Sequence, residues 1–130
     1  MMMVAMSGGF DPLHHGHIRQ IQHAAQLGDV LLVFLNSDAW LERKKGTHWL
    51  SWEARREVLQ SIRWVTAVLP VDDMDGTVAS AIRLYRPHIF AKGGDRTTPV
   101  PQEAAACRAV GCHMVFGIGN KVESSSNFKP

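Results

Sequence analysis

The sequence predicts an α/β fold, a five-stranded parallel sheet with helices on both faces. Two observations carry that expectation. Short apolar runs alternate five times along the 130 residues with longer stretches whose apolar positions recur at steps of three and four. Val30–Leu35 is apolar at all six positions, the pattern of a strand covered on both faces. Such alternation implies right-handed crossovers and places ligands off the carboxyl ends of the strands, where the strand order reverses.

Each element has a local reason. Val4–Met6 is a short apolar strand that ends in Ser7-Gly8-Gly9. His15 to Leu27 carries Ile18, Ile21, Ala24 and Ala25 at helical spacing and stops at Gly28. Val30–Leu35 is the second strand, and a lysine-bearing loop is expected after it. Ser51 is an N-cap for a helix reaching Ile62, with Val58, Leu59 and Ile62 turned inward. Ala67–Val71 reads as a strand. Thr77–Tyr85 is helical, with Val78, Ala81, Ile82 and Tyr85 on one stripe. His88–Ala91 is a strand that runs into Lys92-Gly93-Gly94-Asp95. Gln102–Val110 is a helix ending at Gly111, and His113–Phe116 is the last strand.

Composition excludes several classes. Fourteen basic against twelve acidic side chains is too balanced for a nucleic-acid scaffold, whose footprint is a strongly basic face. Six apolar residues in a row fall far short of the ~20 that cross a bilayer. Met1–Met6 lacks a basic flank and runs into Ser-Gly-Gly, so it does not read as a secretory signal. Two cysteines, Cys107 and Cys112, are too few for a disulfide framework. The expectation is one domain over residues 1–130, cytoplasmic, with reduced thiols and no membrane or nucleic-acid partner. Cys107, Cys112 and His113 lack a fourth ligand for zinc, so no protein-held metal is expected.

The chemistry concentrates in Gly9-Phe10-Asp11-Pro12-Leu13-His14-His15-Gly16-His17. A glycine turn from strand to helix leaves backbone N–H groups facing outward, and the helix dipole adds positive charge, so the turn suits a phosphate. His14 and His17 stand roughly 60° apart on a helix, close enough to serve one point. Gly16 removes a side chain where a ligand approaches the backbone. Lys44 and Lys45 read either as a solvated loop or as point charges that fold over a polyphosphate. Gly93-Gly94-Asp95 is either a plain turn or a bare backbone that reads a base or ribose. Ser124–Ser126 is either a loose tail or a hydroxyl-rich anion cradle.

Gly9-Phe10-Asp11-x-x-His14-x-Gly16-His17 resembles the signature of the cytidylyltransferase-like nucleotidyltransferases, and the likeness runs over nearly the whole chain. Leu27-Gly28-Asp29, Asn36-Ser37-Asp38, Arg43-Lys44-Lys45-Gly46, Glu53-x-Arg55, Ile62-Arg63-Trp64-Val65 and Lys92-Gly93-Gly94-Asp95 are each similar to segments of its glycerol-phosphate cytidylyltransferase and heptose-phosphate adenylyltransferase branches. The resemblance implies a single Rossmann-like domain of the HxGH nucleotidyltransferase fold. By the same resemblance His14, His17 and Lys45 are catalytic. Gly8, Gly9, Phe10, Gly16, Arg63, Lys92, Gly93, Asp95, Ser124, Ser125 and Ser126 bind nucleotide. Asp11, Lys44 and Arg55 bind the second substrate. Residues 121–130 form a phosphate-binding segment, and the chain ends at Pro130 before the family's closing helix, as a trimmed piece or a short natural variant.

The implied reaction transfers an NMP group from ATP or CTP to a phosphorylated sugar or polyol, with Mg²⁺ delivered on the triphosphate. Gly119-Asn120-Lys121-Val122-Glu123 lacks the arginine that the cytidylyltransferases carry before their serine-threonine start, which tips the reading to ATP. Two alternatives stay open: a cofactor adenylyltransferase acting on flavin mononucleotide or phosphopantetheine, and a nucleotide-binding regulator without turnover. A homodimer is expected through Trp64, Val65 and Val68, extended by Trp49 and Trp52.

Overall fold

The chain alternates strand and helix as β1 (Met3–Gly8), α1 (His15–Ala25), β2 (Val30–Leu35), α2 (Asp38–Lys45), α3 (Trp52–Gln60), β3 (Ala67–Pro70), α4 (Ala79–Tyr85), β4 (Ile89–Gly93), α5 (Pro101–Val110) and β5 (His113–Ile118). These elements come from a computed structural model that describes residues 1–93 and 98–119. The strands are all parallel in the order β3-β2-β1-β4-β5. Successive crossovers run outward from β1 through β2 to β3, then return to its other side at β4. The order therefore reverses between β1 and β4.

Strand residues alternate between two apolar layers, as the two-residue period requires. Val4, Met6, Leu31, Val33, Leu35 and Val68 pack with Ile21 and Ala24 of α1 and Leu59 of α3. Ala5, Phe34 and Phe90 pack on the other side with Ala81 and Ile82 of α4 and Ala106 and Cys107 of α5. Both faces of the sheet are thus covered, which is why β2 carries no polar residue. No helix among the described residues is long and apolar enough to cross a membrane.

Local signals place most boundaries. Ser51 caps α3 by accepting from the Ala54 N–H at 3.2 Å, and α5 starts on Pro101 and ends at Gly111 with φ +71°. Three expectations need correction. Val58 is exposed rather than inward, because the core face of α3 is set by Arg55 and Leu59. Val65 and Val68 belong to the core and not to a surface that could pair. The segment expected as a lysine loop is the helix α2. It buries only Leu41, so apolar spacing did not announce it. Its stability comes from its ends: Ser37 caps the Trp40 N–H at 3.0 Å, Asp38 sits at the positive end, and Arg43, Lys44 and Lys45 occupy the last turn before Gly46 at φ +86°.

Candidate active site

The turn between β1 and α1 is held by its own histidines. The His14 N–H donates to His17 Nδ1 at 3.1 Å, and the Gly16 N–H donates to His14 Nδ1 at 3.1 Å. This is a reciprocal cap in which imidazoles replace the usual hydroxyl and carboxylate. A neutral ring whose Nδ1 accepts must carry its proton on Nε2. Each histidine therefore satisfies a backbone donor on one side and presents an Nε2–H on the other. The outward backbone N–H groups expected at this turn are in part consumed, and their donor capacity reappears on the rings. The ring centroids are 3.8 Å apart. Burial, with the His14 ring adding to it, pushes the His17 imidazole down to about 4, so it is neutral at pH 7.

The glycines and Phe10 serve this geometry. A Cβ on Gly16 would stand 3.0 Å from Cε1 of His14, so Gly16 makes room for the His14 ring folding over the helix start. A Cβ on Gly9 would meet Leu41 at 2.6 Å. Phe10 takes φ +48°, an uncommon backbone state for a bulky residue, and buries its ring edge-on to His17 at 4.9 Å. The Phe10 side chain lies in the core, beneath His17, so only its backbone is left for a ligand. His15 faces away and accepts from Arg19 Nε at 2.8 Å.

A cleft of about 300 Å³ opens at the carboxyl ends of β1 and β4, the point where the strand order reverses; Gly8 and Gln20 flank the histidine turn in its lining, which does not include His14 or His17. Its walls include Gly8, Asn36, Trp40, Lys44, Lys92 and Glu103. The Lys44 ammonium lies 4.7 Å from the Trp40 ring centroid. Lys92 reaches Glu103 at 2.9 Å, and Glu103 also accepts the Val78 N–H at 3.2 Å. Lys92 therefore stands in the cleft wall as expected, but with its charge compensated. Gly93 also lines the cleft and packs on Gln20, whose side-chain Cδ would be 2.5 Å from an added Cβ.

Four further expectations are corrected. Lys45 donates to the Asp11 carbonyl at 2.6 Å and lies 3.2 Å from its carboxylate, so it straps α2 to the histidine turn. Asp11 accepts from the Trp49 and Leu50 N–H groups at 2.7 and 2.8 Å, and its side chain is buried. Burial alone would raise its carboxyl, but these donors and Lys45 outweigh it and hold the group below the usual carboxylate range. With both oxygens engaged, Asp11 is a structural carboxylate and not a substrate contact. Arg55 is fully buried and donates to the carbonyls of Leu50 at 3.0 Å and of Gly9 and Asn36 at 2.8 Å, and to Asp38 at 2.6 Å. It is a tie between loops, unable to reach a substrate. Arg63 stacks on Trp64 at 4.8 Å and precedes β3, at the amino-terminal edge of the sheet, so within one chain it is remote from the cleft. Asp95, Ser124, Ser125 and Ser126 lie outside the described residues.

Asn36, Trp40, Asp73, Gln20 and Glu103 carry no role that the sequence alone announces. The first three fall in the segments after strands that the fold rule singles out. Gln20 and Glu103 are mid-helix residues with no local signal.

Comparison with known proteins agrees with this architecture. The sequence profile described as cytidylyltransferase-like matches residues 5–116. The chain is 35% identical over 123 residues to the bifunctional protein HldE of Syntrophotalea carbinolica, covering 93% of this chain but 23% of that one. It is 37% identical over 95 residues to glycerol-3-phosphate cytidylyltransferase of Staphylococcus aureus, covering 73% of this chain and 71% of the relative. The chain thus spans about a quarter of the length of the HldE proteins it matches. A lipopolysaccharide core biosynthesis protein from Thermoplasma volcanium shares the fold, with a TM-score of 0.76 at 20% identity over 90% of this chain and 94% of that one. On the profile match and the Staphylococcus relative, the chain belongs to the cytidylyltransferase-like family.

Proposed function

We propose that the chain is a nucleotidyltransferase that moves the NMP group of a nucleoside triphosphate onto a small phosphorylated sugar or polyol. A phosphate oxygen of the acceptor attacks the α-phosphorus, the α–β bridging bond breaks, and pyrophosphate leaves. The observation that carries this reading is the pair of Nε2–H groups fixed by the reciprocal cap at the strand-order reversal. Donors aimed before reaction at the place where charge builds act without reorganisation. The names of the relatives point the same way. ATP is the favoured nucleotide, since the arginine of the cytidylyltransferases is missing before Ser124.

Lys44 takes the part first given to Lys45. Among the charged residues of α2, Asp38, Glu42, Arg43 and Lys45 each have a polar partner, whereas among the described residues Lys44 meets only the Trp40 ring. It remains available to an incoming phosphate. The carboxylates Asp11, Asp73 and Glu103 are saturated by protein donors, and no group of three metal-ligating side chains occurs among the described residues. Mg²⁺ enters this proposal as part of the nucleotide substrate. A homodimer and a cytoplasmic location remain part of the proposal, the pairing surface now resting on Trp64 and the exposed Trp49.

The test is pyrophosphate release screened over ATP and CTP with glycerol 3-phosphate and sugar 1-phosphates. Release with ATP and a sugar phosphate is expected, whereas nucleotide binding without release from any pair would favour the regulator instead. In the same assay Lys44→Ala should lower kcat by about 10²-fold and leave ATP affinity nearly unchanged. Lys45→Met should keep turnover within about threefold and cost stability of about 1 kcal/mol. The reverse pattern would return the catalytic part to Lys45.

A further inference from the structure

A buried carboxylate outside the histidine turn ties together three parts of the cleft. Asp73 lies in the loop between β3 and α4 and is 3% exposed. One of its oxygens accepts from Asn36 Nδ2 at 3.0 Å and from the Ser37 N–H at 2.8 Å, and the other accepts from the Ser37 hydroxyl at 2.7 Å. Its own carbonyl accepts from Arg43 at 2.8 Å. Trp40 closes the same joint from the far side, with Nε1 donating to the Gly76 carbonyl at 3.2 Å. Asp73 thus orients the Asn36 amide, fixes Ser37, the N-cap of the helix α2 that carries Trp40 and Lys44, and pins the loop that carries Gly76 and Val78. All three units line the cleft.

The consequence falls on Lys44. It follows Ser37 by seven residues, roughly 10 Å along a helix axis. α2 buries only Leu41, so its direction depends on polar ties more than on an apolar face, and Asp73 supplies those at Ser37 and Arg43 while Asp11 supplies the one at Lys45. A tilt of roughly 10° about Ser37 would move the Lys44 backbone by roughly 2 Å, and displacements near 1 Å can cost about 10²-fold in rate. A carboxylate holding several donors in short, charge-assisted bonds resists such a tilt.

We infer that Asp73 is a positioning residue for the acceptor half of the site, acting through Asn36 and Lys44. The inference rests on the transferase reading above, and its test separates the two. Asp73→Asn is isosteric but turns an NH₂ toward donors. In the full chain it should raise the acceptor KM about tenfold and lower kcat, while the calorimetric Kd for ATP changes less than twofold. Equal losses for ATP and acceptor would mark a merely structural role and overturn the inference, as would unchanged acceptor kinetics. Should Asp73→Asn fail to fold, Arg43→Met decides. Its side chain is half exposed, and the substitution removes the bond to the Asp73 carbonyl and a 4.0 Å ion pair with the Asp73 carboxylate while leaving the Asn36 and Ser37 bonds in place. A raised acceptor KM at constant ATP affinity supports the inference, and an unchanged KM overturns it. If the unmodified chain turns over no acceptor, the transferase reading fails on its own. Asp73 is then read from the ¹⁵N signal of the Lys44 ammonium titrated with inorganic phosphate. A response in the parent that weakens in Arg43→Met supports the inference. An equal response in both, or none in the parent, overturns it.

Discussion

Replacing His17 by alanine should lower turnover by about 10²–10³-fold, the usual loss for a pre-aimed donor to developing charge, while the chain still folds. The ring is half-buried and its Nδ1 accepts a single backbone N–H, that of His14. The structural loss is that of one cap, about 1 kcal/mol. Because burial and the His14 ring push His17 down to about 4, its Nε2–H form persists through neutral pH. Its contribution to kcat should therefore not titrate between pH 5 and 8. The sign for stability follows from the same shift. The unfolded chain binds this proton near 6.5 and the fold only near 4, so stability is complete above the first value and falls as pH drops toward the second. Thermal melts and pyrophosphate release on the same preparations test both. A folded His17→Ala chain that binds ATP and turns over at the parent rate would end the mechanism proposed here.

Arg55→Met should destabilise the fold by about 3–5 kcal/mol, the range for removing one partner of a buried charged pair. The guanidinium serves three carbonyls and a carboxylate that belong to four different segments: Gly9 in the histidine turn, Asn36 after β2, Leu50 before α3 and Asp38 at the start of α2. The Asn36 carbonyl would lose its donor in the interior and those of Gly9 and Leu50 at its margin, at up to about 1–3 kcal/mol each before relaxation. For a domain of this size the melting temperature should drop by roughly 10–20 °C. Arg56→Met is the control. The neighbouring side chain is exposed, and its loss should stay within about 0.5 kcal/mol. Equal melting temperatures for the two variants would show that Arg55 is a surface cation after all.

Those two arginines mark where sequence reasoning stops. The strands, α1, α3 and α5 were legible because their causes lie within a few residues: apolar steps of two or of three and four, Ser51 at a cap, Pro101 and Gly111 at helix ends. The histidine pair was legible for the same reason, since His14 and His17 complete each other's bonds across three positions. A helix held by polar ends rather than an apolar face, such as α2, leaves no periodic trace, and so Lys44 and Lys45 were read as a loop. Which lysine stays free, and which arginine is buried, depends on partners far along the chain. Lys45 meets Asp11 across 34 residues, Arg55 meets Gly9 across 46, and Asp73 meets Asn36 across 37. Those meetings are set by the strand order β3-β2-β1-β4-β5, which brings the loops after the strands to one edge of the sheet. Local residue pattern therefore determined the strands, the apolar-faced helices and the two histidines, and the packing of distant loops against one another decided which charges are neutralised in the interior and which remain for a ligand.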